Sequence, residues 1–342
     1  MAEPDLIEQL DQAVEAILSG AQTVPAPAGP IGELVGIARE LRHLPSNDFR
    51  AKLKAELTKA AQAAKETKTM TSTTAVKPIR EGFHSITPYL IVEGAANLIH
   101  FLEQAFGGHE LFRVSRPGGS GVMHAEVRIG DSIIELADAN PQHPPMPAAI
   151  HLYVTDVDTV YHRALEAGGT SAYGVVDQFY GDREASVKDP LGNFWYIATH
   201  KWDGSPEQPA ANFIPHGLHT VTPYLHPKGT GRMIEFLKQA FDAEDVERDE
   251  SPDGTVMHAK IRIGDSILEM GEAHGEFGPM PSTIHLYVND TDATYQRALQ
   301  AGGTSIVSPS DTPYGDRSAA VTDPAGNHWY IATHIRDVPL SE

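Results

Sequence analysis

The chain has 342 residues, 41% of them hydrophobic, with 46 acidic against 26 basic side chains and a net charge of -20. That much negative charge opposes adsorption onto nucleic acid or anionic lipid, both of which need basic surface. Cysteine is absent, which excludes disulfides, thiolate metal sites and a cysteine nucleophile. No stretch approaches the roughly 18 apolar residues of a membrane span. The N-terminal MAEPDLIEQLDQAVEAIL lacks the basic and long apolar regions of a secretion signal. The expected location is the cytoplasm, with no nucleic-acid or membrane partner.

In chain order, residues 1–66 read as a helical segment. Leu6, Leu10, Val14 and Ile17 form one stripe, VPAPAGP interrupts it, and Leu34, Ile37, Ala38 and Leu41 form a second. Ser46 or Asn47 can cap a third helix through Phe49, Leu53 and Leu57. Amphipathic helices of this kind suit self-association or docking of a partner protein; the alternative is packing on the rest of the chain. Residues 67–80 read as a linker.

A strand is expected over Ser85–Val92, then a helix over Ala95–Phe106 with Leu98, Phe101, Leu102 and Phe106 at helical spacing. Gly107-Gly108 stops it. Three strands follow at Glu110–Ser115, Val122–Ile129 and Ser132–Ala137, the last two joined by a Gly130-Asp131 hairpin turn. The pattern then restarts: strand Ala149–Val154, helix Asp156–Ala167, and strands near Ser171–Val176, Ala185–Lys188 and Phe194–Thr199. The whole order then recurs. His84 of HSITPYL returns as His219 of HTVTPYL, an offset of 135 (219 − 84). His124, His151 and Asp189 return as His258, His285 and Asp323, each 134 residues on (258 − 124, 285 − 151, 323 − 189). A near-constant offset means duplicated domains, expected at 81–201 and 216–335, with 202–215 as a Pro- and Gly-bearing linker. Each is βαβββ followed by βαβββ, an α+β class.

That order, with Asp-Pro-x-Gly-Asn-x-Trp before the last strand, resembles the vicinal-oxygen-chelate superfamily of glyoxalase- and bleomycin-resistance-like proteins. The run ITPYL, MHAEVRIGDS, LYV, YGDR, DPLGNFW is most similar to its PhnB-like branch. The resemblance covers about three quarters of the chain. It implies that the strands of each module curl into a U and that paired modules enclose a cup. Members include lyases, isomerases, extradiol dioxygenases, thiol transferases and metal-free drug-binding proteins, so the fold leaves function open.

Side chains alternate along a strand. Ile133, Glu135 and Ala137 share one face of their strand, and Glu269 repeats Glu135. A carboxylate in an apolar strand needs a partner. The resemblance implies that this Glu is a metal ligand in metal-dependent members; the alternative is a salt bridge to Arg183 or Arg128, or a half-exposed strand end. The other ligand places match poorly. Thr87 and Thr222 stand on the first strand, Ala149 and Ser282 or Thr283 on the fifth, and Tyr196 and Tyr330 on the last. His151 and His285 lie two residues beyond the fifth-strand place. The cofactor expectation is therefore at most one divalent metal per domain, held by Glu135 with His151 and by Glu269 with His285.

His124 and His258 lie on the third strand, beside the Glu135 and Glu269 strands. His124 with Glu135, and His258 with Glu269, can form an acid/base or substrate-anchoring pair, or only a cross-strand surface pair. Arg183 and Arg317, in the repeated GDR loop, can clamp an anion or pair with Asp182 or Asp189 to fix the turn. Tyr89, Tyr153 and Tyr196, with Tyr224, Tyr287 and Tyr330, offer ligand-stacking or core surface. His100, His109, His143, His162 and His200 read as surface histidines. Three functional readings stand side by side. The first is a small-molecule lyase or isomerase. The second is a metal-free drug- or metabolite-binding protein. The third is a regulatory protein whose repeats sense a ligand while residues 1–66 recruit a partner.

Overall fold

The computed structural model describes residues 76–338, apart from 120, 204, 206 and 276. The helices expected over 1–66 lie outside the described residues. Four βαβββ modules follow one another. The first is β1 (Ile86–Val92), α1 (Ala95–Phe106), β2 (His109–Ser115), β3 (Val122–Ile129) and β4 (Ser132–Asp138). The second is β5 (Ala149–Tyr153), α2 (Val157–Glu166), β6 (Thr170–Asp177), β7 (Asp182–Lys188) and β8 (Phe194–His200). The third is β9 (Val221–Leu225), α3 (Thr230–Phe241), β10 (Glu244–Glu250), β11 (Val256–Ile263) and β12 (Ser266–Gly271). The fourth is β13 (Thr283–Tyr287), α4 (Thr291–Gln300), β14 (Thr304–Asp311), β15 (Asp316–Thr322) and β16 (His328–His334). Among the described residues, no helix is long and apolar enough to cross a membrane.

The modules combine across the two copies. One eight-stranded sheet runs β14-β15-β16-β13-β1-β4-β3-β2, the other β10-β11-β12-β9-β5-β8-β7-β6. Sheet 1 therefore joins the first module of copy 1 to the second module of copy 2, and sheet 2 joins the remaining two. At the middle of sheet 1, β1 pairs antiparallel with β13, setting Thr87 opposite His285. At the middle of sheet 2, β5 pairs with β9, setting His151 opposite Thr222.

Each copy nevertheless keeps its own apolar core. Leu98, Leu102 and Phe106 of α1 and Val157 and Ala164 of α2 pack with Leu90, Ile134, Leu136, Ile150 and Trp195. Copy 2 has a matching set around Ile234, Leu237, Phe241 and Trp329. Trp195 and Trp329 are fully buried and lie against Phe106 and Phe241, so neither faces the polar side of a sheet. Helix starts are tied to the sheet. Asp138 accepts from the backbone N–H groups of Gly94 and Ala95, and Glu272 does the same for Gly229 and Thr230. These charges meet the orphan donors and positive end of the helix.

Two repeated motifs prove to be locks. The Asp189 carboxylate accepts from the N–H groups of Leu191 and Asn193, from the Asn193 amide and from Trp195 Nε1. Asp323 repeats that set. The Gly-Asp-Ser turn joins the copies. Asp131 accepts from Thr220 N–H at 2.9 Å and Ser132 Oγ from Val221 N–H at 3.1 Å, while Asp265 and Ser266 bind Ser85 and Ile86 in return. Gly130 has φ 58°, and a Cβ there would run into the Thr220 hydroxyl. Beside these turns the His84 and His219 rings stack at 3.5 Å.

Candidate functional site

The face of each sheet away from the helices carries a cluster of buried polar groups. We call these site 1, on sheet 1, and site 2, on sheet 2. At the heart of site 1, His285 Nδ1 lies 2.7 Å from Glu135 Oε2; in site 2, His151 Nδ1 lies 2.7 Å from Glu269 Oε2. All four residues are buried. The pairing follows from the sheet seam. β13 lies next to β1, which lies next to β4, so the histidine of one copy reaches the glutamate of the other.

Burial alone would lower the His151 pKa, but Glu269, backed by Glu184 and Asp182, outweighs it and raises the value to about 9. Burial alone would raise the Glu269 pKa, but His151 outweighs it and holds the carboxyl below its usual range. His285 and Glu135 shift in the same directions for the same causes. In each dyad the two groups thus favour each other's charged form, which satisfies a buried charge that would otherwise be costly.

A tyrosine stiffens each dyad. The Tyr153 ring lies 4.4 Å from His151 and Tyr287 lies 4.5 Å from His285. Tyr153 donates to Asp182 at 3.0 Å and Tyr287 to Asp316 at 2.9 Å. Those aspartates also face His200 Nδ1 at 2.6 Å and His334 Nδ1 at 2.7 Å. The hydroxyls of Tyr153 and Tyr287 are therefore committed to Asp182 and Asp316 while their rings cover the dyad histidines. His200 belongs to the buried network, contrary to its reading as a surface residue.

Tyr89 and Tyr330 line site 1 with ring centres 5.6 Å apart, and Tyr196 and Tyr224 line site 2 at 5.2 Å. Tyr330 Oη lies 3.2 Å from His143 Nδ1, and Tyr196 Oη 3.0 Å from His226 Nε2. His143 is thus a site residue too, where the sequence suggested only surface. Burial lowers the His226 pKa to about 4, which keeps that ring neutral. Thr87 and Thr222 are buried on the central strands.

His124 meets its expected neighbour only loosely. Its Nε2 lies 3.9 Å from Glu135 and 3.3 Å from Glu126. His258 makes no ion pair with Glu269 among the described residues; its nearest charged contact is Asp249, at 3.9 Å. Burial lowers the His258 pKa. Arg80 ion-pairs with Glu126 and lies over the Phe83 ring. It comes from the stretch read as a linker. In site 2 the place of Glu126 is taken by Lys260, which pairs with Glu247 at 3.0 Å, and Glu184 stands where site 1 has Ser318.

Known proteins share this architecture. Residues 82–197 and 220–331 match the family model of the glyoxalase/bleomycin resistance protein/dioxygenase superfamily. The chain belongs to that superfamily. An uncharacterised protein of Mycobacterium bovis is 36% identical over 133 residues, covering 36% of this chain and 88% of its own length. A second M. bovis protein, provisionally named glyoxylase CFP32, is 27% identical over 225 residues, covering 61% of this chain and 79% of its own. The crystal structure of glyoxalase I from Zea mays matches the fold with a TM-score of 0.52 at 18% identity, over 72% of this chain and 92% of that one.

Resemblance to metal-dependent members of the superfamily raises a divalent ion at Glu135 and Glu269, and the donor set does not fit one. The Nδ1 atoms of His285 and His151 are taken up by 2.7 Å contacts with the very glutamates that would share the ion. The expected partners were also crossed: Glu135 pairs with His285, and Glu269 with His151. In site 1, donor atoms of His124, Glu126 and Glu135 all lie within 4.8 Å of one another. Arg80 already neutralises Glu126 there, and in site 2 Lys260 removes that carboxylate altogether.

The GDR arginines lie elsewhere. Arg183 binds Asp158 of α2 through two nitrogens at 2.7 and 2.8 Å, and Asp177 at 3.0 Å. Arg317 binds Asp292 and Asp311 in the same way. With their forks filled by aspartates, neither is available to clamp a ligand anion. Their partners are also not the Asp182 or Asp189 expected from the turn, because those carboxylates serve Tyr153 with His200 and the Trp195 lock.

Proposed function

We propose that this superfamily member binds small molecules at sites 1 and 2 without a resident metal, using the His–Glu dyads as polar anchors and the Tyr89/Tyr330 and Tyr196/Tyr224 pairs as aromatic walls. The observation that carries the reading is the buried 2.7 Å dyad repeated on both sheets. In each, a proton bridges the carboxylate to the imidazole where a metal-dependent relative would place an ion. We read the chain as PhnB-like on its ITPYL, RIGDS and YGDR motifs. Drug or metabolite sequestration is the activity this arrangement favours over lyase or isomerase chemistry, because the imidazole and carboxylate of each dyad are committed to each other in a mutual salt bridge.

The experiment is a thermal-shift screen of neutral, anionic and cationic aromatic compounds in the presence of chelator. A ligand at 100 times its Kd adds about 2.7 kcal/mol of stability, a rise of roughly 5–11 °C at the 2–4 °C per kcal/mol typical of a chain of this size. Hits that persist in chelator are expected. Binding that requires about one divalent ion per site, or no hit from any class, overturns the reading.

A further inference from the structure

Four buried side-chain atoms lack a hydrogen-bond partner among the described residues. One, Thr230 Oγ1, sits at the start of α3. The other three, His151 Nε2, Ser186 Oγ and His226 Nδ1, all belong to site 2, and site 1 has none among the described residues. A buried polar atom without a partner is rare and costs stability, so three in one place need a cause. The strand register brings them together. Ser186 of β7 stands opposite Tyr196 of β8, and Tyr196 opposite His151 of β5. Paired residues share a sheet face, so these side chains rise in one row. His226, just beyond β9, joins the row through its Nε2, 3.0 Å from Tyr196 Oη, which leaves Nδ1 unpaired.

The duplicated fold does not require these atoms. In site 1 the place of Ser186 is taken by Ala320, opposite Tyr330, and that of His226 by Ile91. The wall tyrosine there still meets a histidine, because His143 stands where site 2 has Phe277. Apolar residues thus fit both places in the same architecture. Around the row in site 2, Tyr224, His258 and Phe277 are half-buried, so solvent reaches the rim. The Phe277 ring stacks on His226, with centres 5.7 Å and planes 13° apart, and Tyr224 lies 4.9 Å from the same imidazole.

We propose that site 2, and not site 1, binds an uncharged aromatic amide, whose N–H and C=O groups pair with Ser186 Oγ and His226 Nδ1 and whose ring lies among Tyr196, Tyr224 and Phe277. The inference rests on the small-molecule reading above and narrows it to one site and one ligand class. The Ser186 hydroxyl can donate or accept. His226 Nδ1 donates if it bears the ring hydrogen and accepts if it does not. An amide carries a donor and an acceptor side by side and answers either case. An anion is disfavoured, because the Glu184 and Glu269 carboxylates already flank His151 at 3.4 and 2.7 Å. Since the three atoms are sealed, the amide reaches them as the half-buried rim rings turn aside, an ordinary scale of side-chain change on binding.

Isothermal titration calorimetry with benzamide, and with benzoate as its anionic match, tests this. Benzamide should bind with one equivalent, and benzoate at least tenfold more weakly. Ser186→Ala, and the double swap His226→Ile with Phe277→His, copy the residues of site 1. Each should weaken benzamide about tenfold, the loss of one hydrogen bond. Ser186→Ala should also raise the melting temperature of the ligand-free chain, because it removes an orphaned polar atom; a serine with a structural role would lower it. If the double swap fails to fold, Ser186→Ala decides alone. No benzamide binding, two equivalents, equal binding of benzoate, undiminished affinity in Ser186→Ala, or a lower melting temperature in that variant overturns the inference. Hits of other classes in the chelator-resistant screen would then leave the broader reading standing, whereas an empty screen would end both.

Discussion

Sites 1 and 2 descend from one duplicated pattern yet balance their charges by different routes. Site 1 sets Arg80 and His285 against Glu126 and Glu135. Site 2 sets Lys260 and His151 against Glu184 and Glu269. The dyad is common to both. The second carboxylate and the fixed cation have moved to other strands. The comparison teaches that the duplicated skeleton dictates where a buried ion pair sits, while single substitutions around it, such as Ser318 in place of Glu184, decide whether the imidazole has a second glutamate beside it.

The strongest way to break the comparison is to remove the imidazoles. Deleting one partner of a buried ion pair costs about 3–5 kcal/mol. His151→Leu should reach that range, because it strands both Glu269 and Glu184, whereas His285→Leu strands Glu135 alone and should cost less. Urea unfolding of the two variants measures the difference; equal losses would mean that Glu184 does not interact with His151.

A pH series sharpens the same contrast. The His151 pKa is raised from 6.5 to about 9 on folding, a change worth on the order of 3 kcal/mol. A raised value in the folded state means the stabilisation is complete below about pH 6.5 and drains away as pH climbs through about 9. The stability gap between wild type and His151→Gln should therefore shrink between pH 6.5 and 10. The gap for His285→Gln should shrink in the same direction by a smaller amount, since Arg80 opposes the rise there. A gap that widens with pH would contradict the imidazolium assignment.

Tyr173→Phe removes a hydroxyl that holds Glu184. A hydrogen bond to a charged group is worth about 1.5–3 kcal/mol, so a loss near the lower end is expected in denaturant melts of this half-buried residue. Site 1 has Val307 at the equivalent place and nothing to lose there. The smallest effect belongs to Arg183→Ala and Arg317→Ala. Exposed ion pairs contribute about 0–1 kcal/mol, and neither change should alter the affinity of any ligand found in the screen. A tenfold loss of affinity in either variant would return these arginines to the binding surface.

The repeat, the order of the elements and the apolar faces were legible along the chain, since periodicities of two and 3.6 residues are local properties. Glu135 and Glu269 were legible as buried carboxylates in need of partners for the same reason. Their partners were not. Sequence position points His151 at Glu135, since both lie in one copy, and points Arg183 at an anion, since a fork of donors suits one. Nothing in the pattern of a single strand marks Glu184, Tyr173 or Arg80. A usable signal existed for Glu184 and Lys260, since both change charge where the two copies are compared; Arg80 lay outside the repeated blocks and gave none.

The amino-acid order by itself thus determined that four βαβββ units would form, that two helices per copy would bury one face, and that each copy would carry a glutamate and a histidine on the opposite face. Only the tertiary structure decided that β13 lies beside β1 and β5 beside β9, so that each histidine answers the glutamate of the other copy. The reason is physical. Strand pairing between distant modules is chosen by how the Gly-Asp-Ser turns, the stacked His84 and His219 rings and the two apolar cores fit together, and no window of residues along one strand contains that choice.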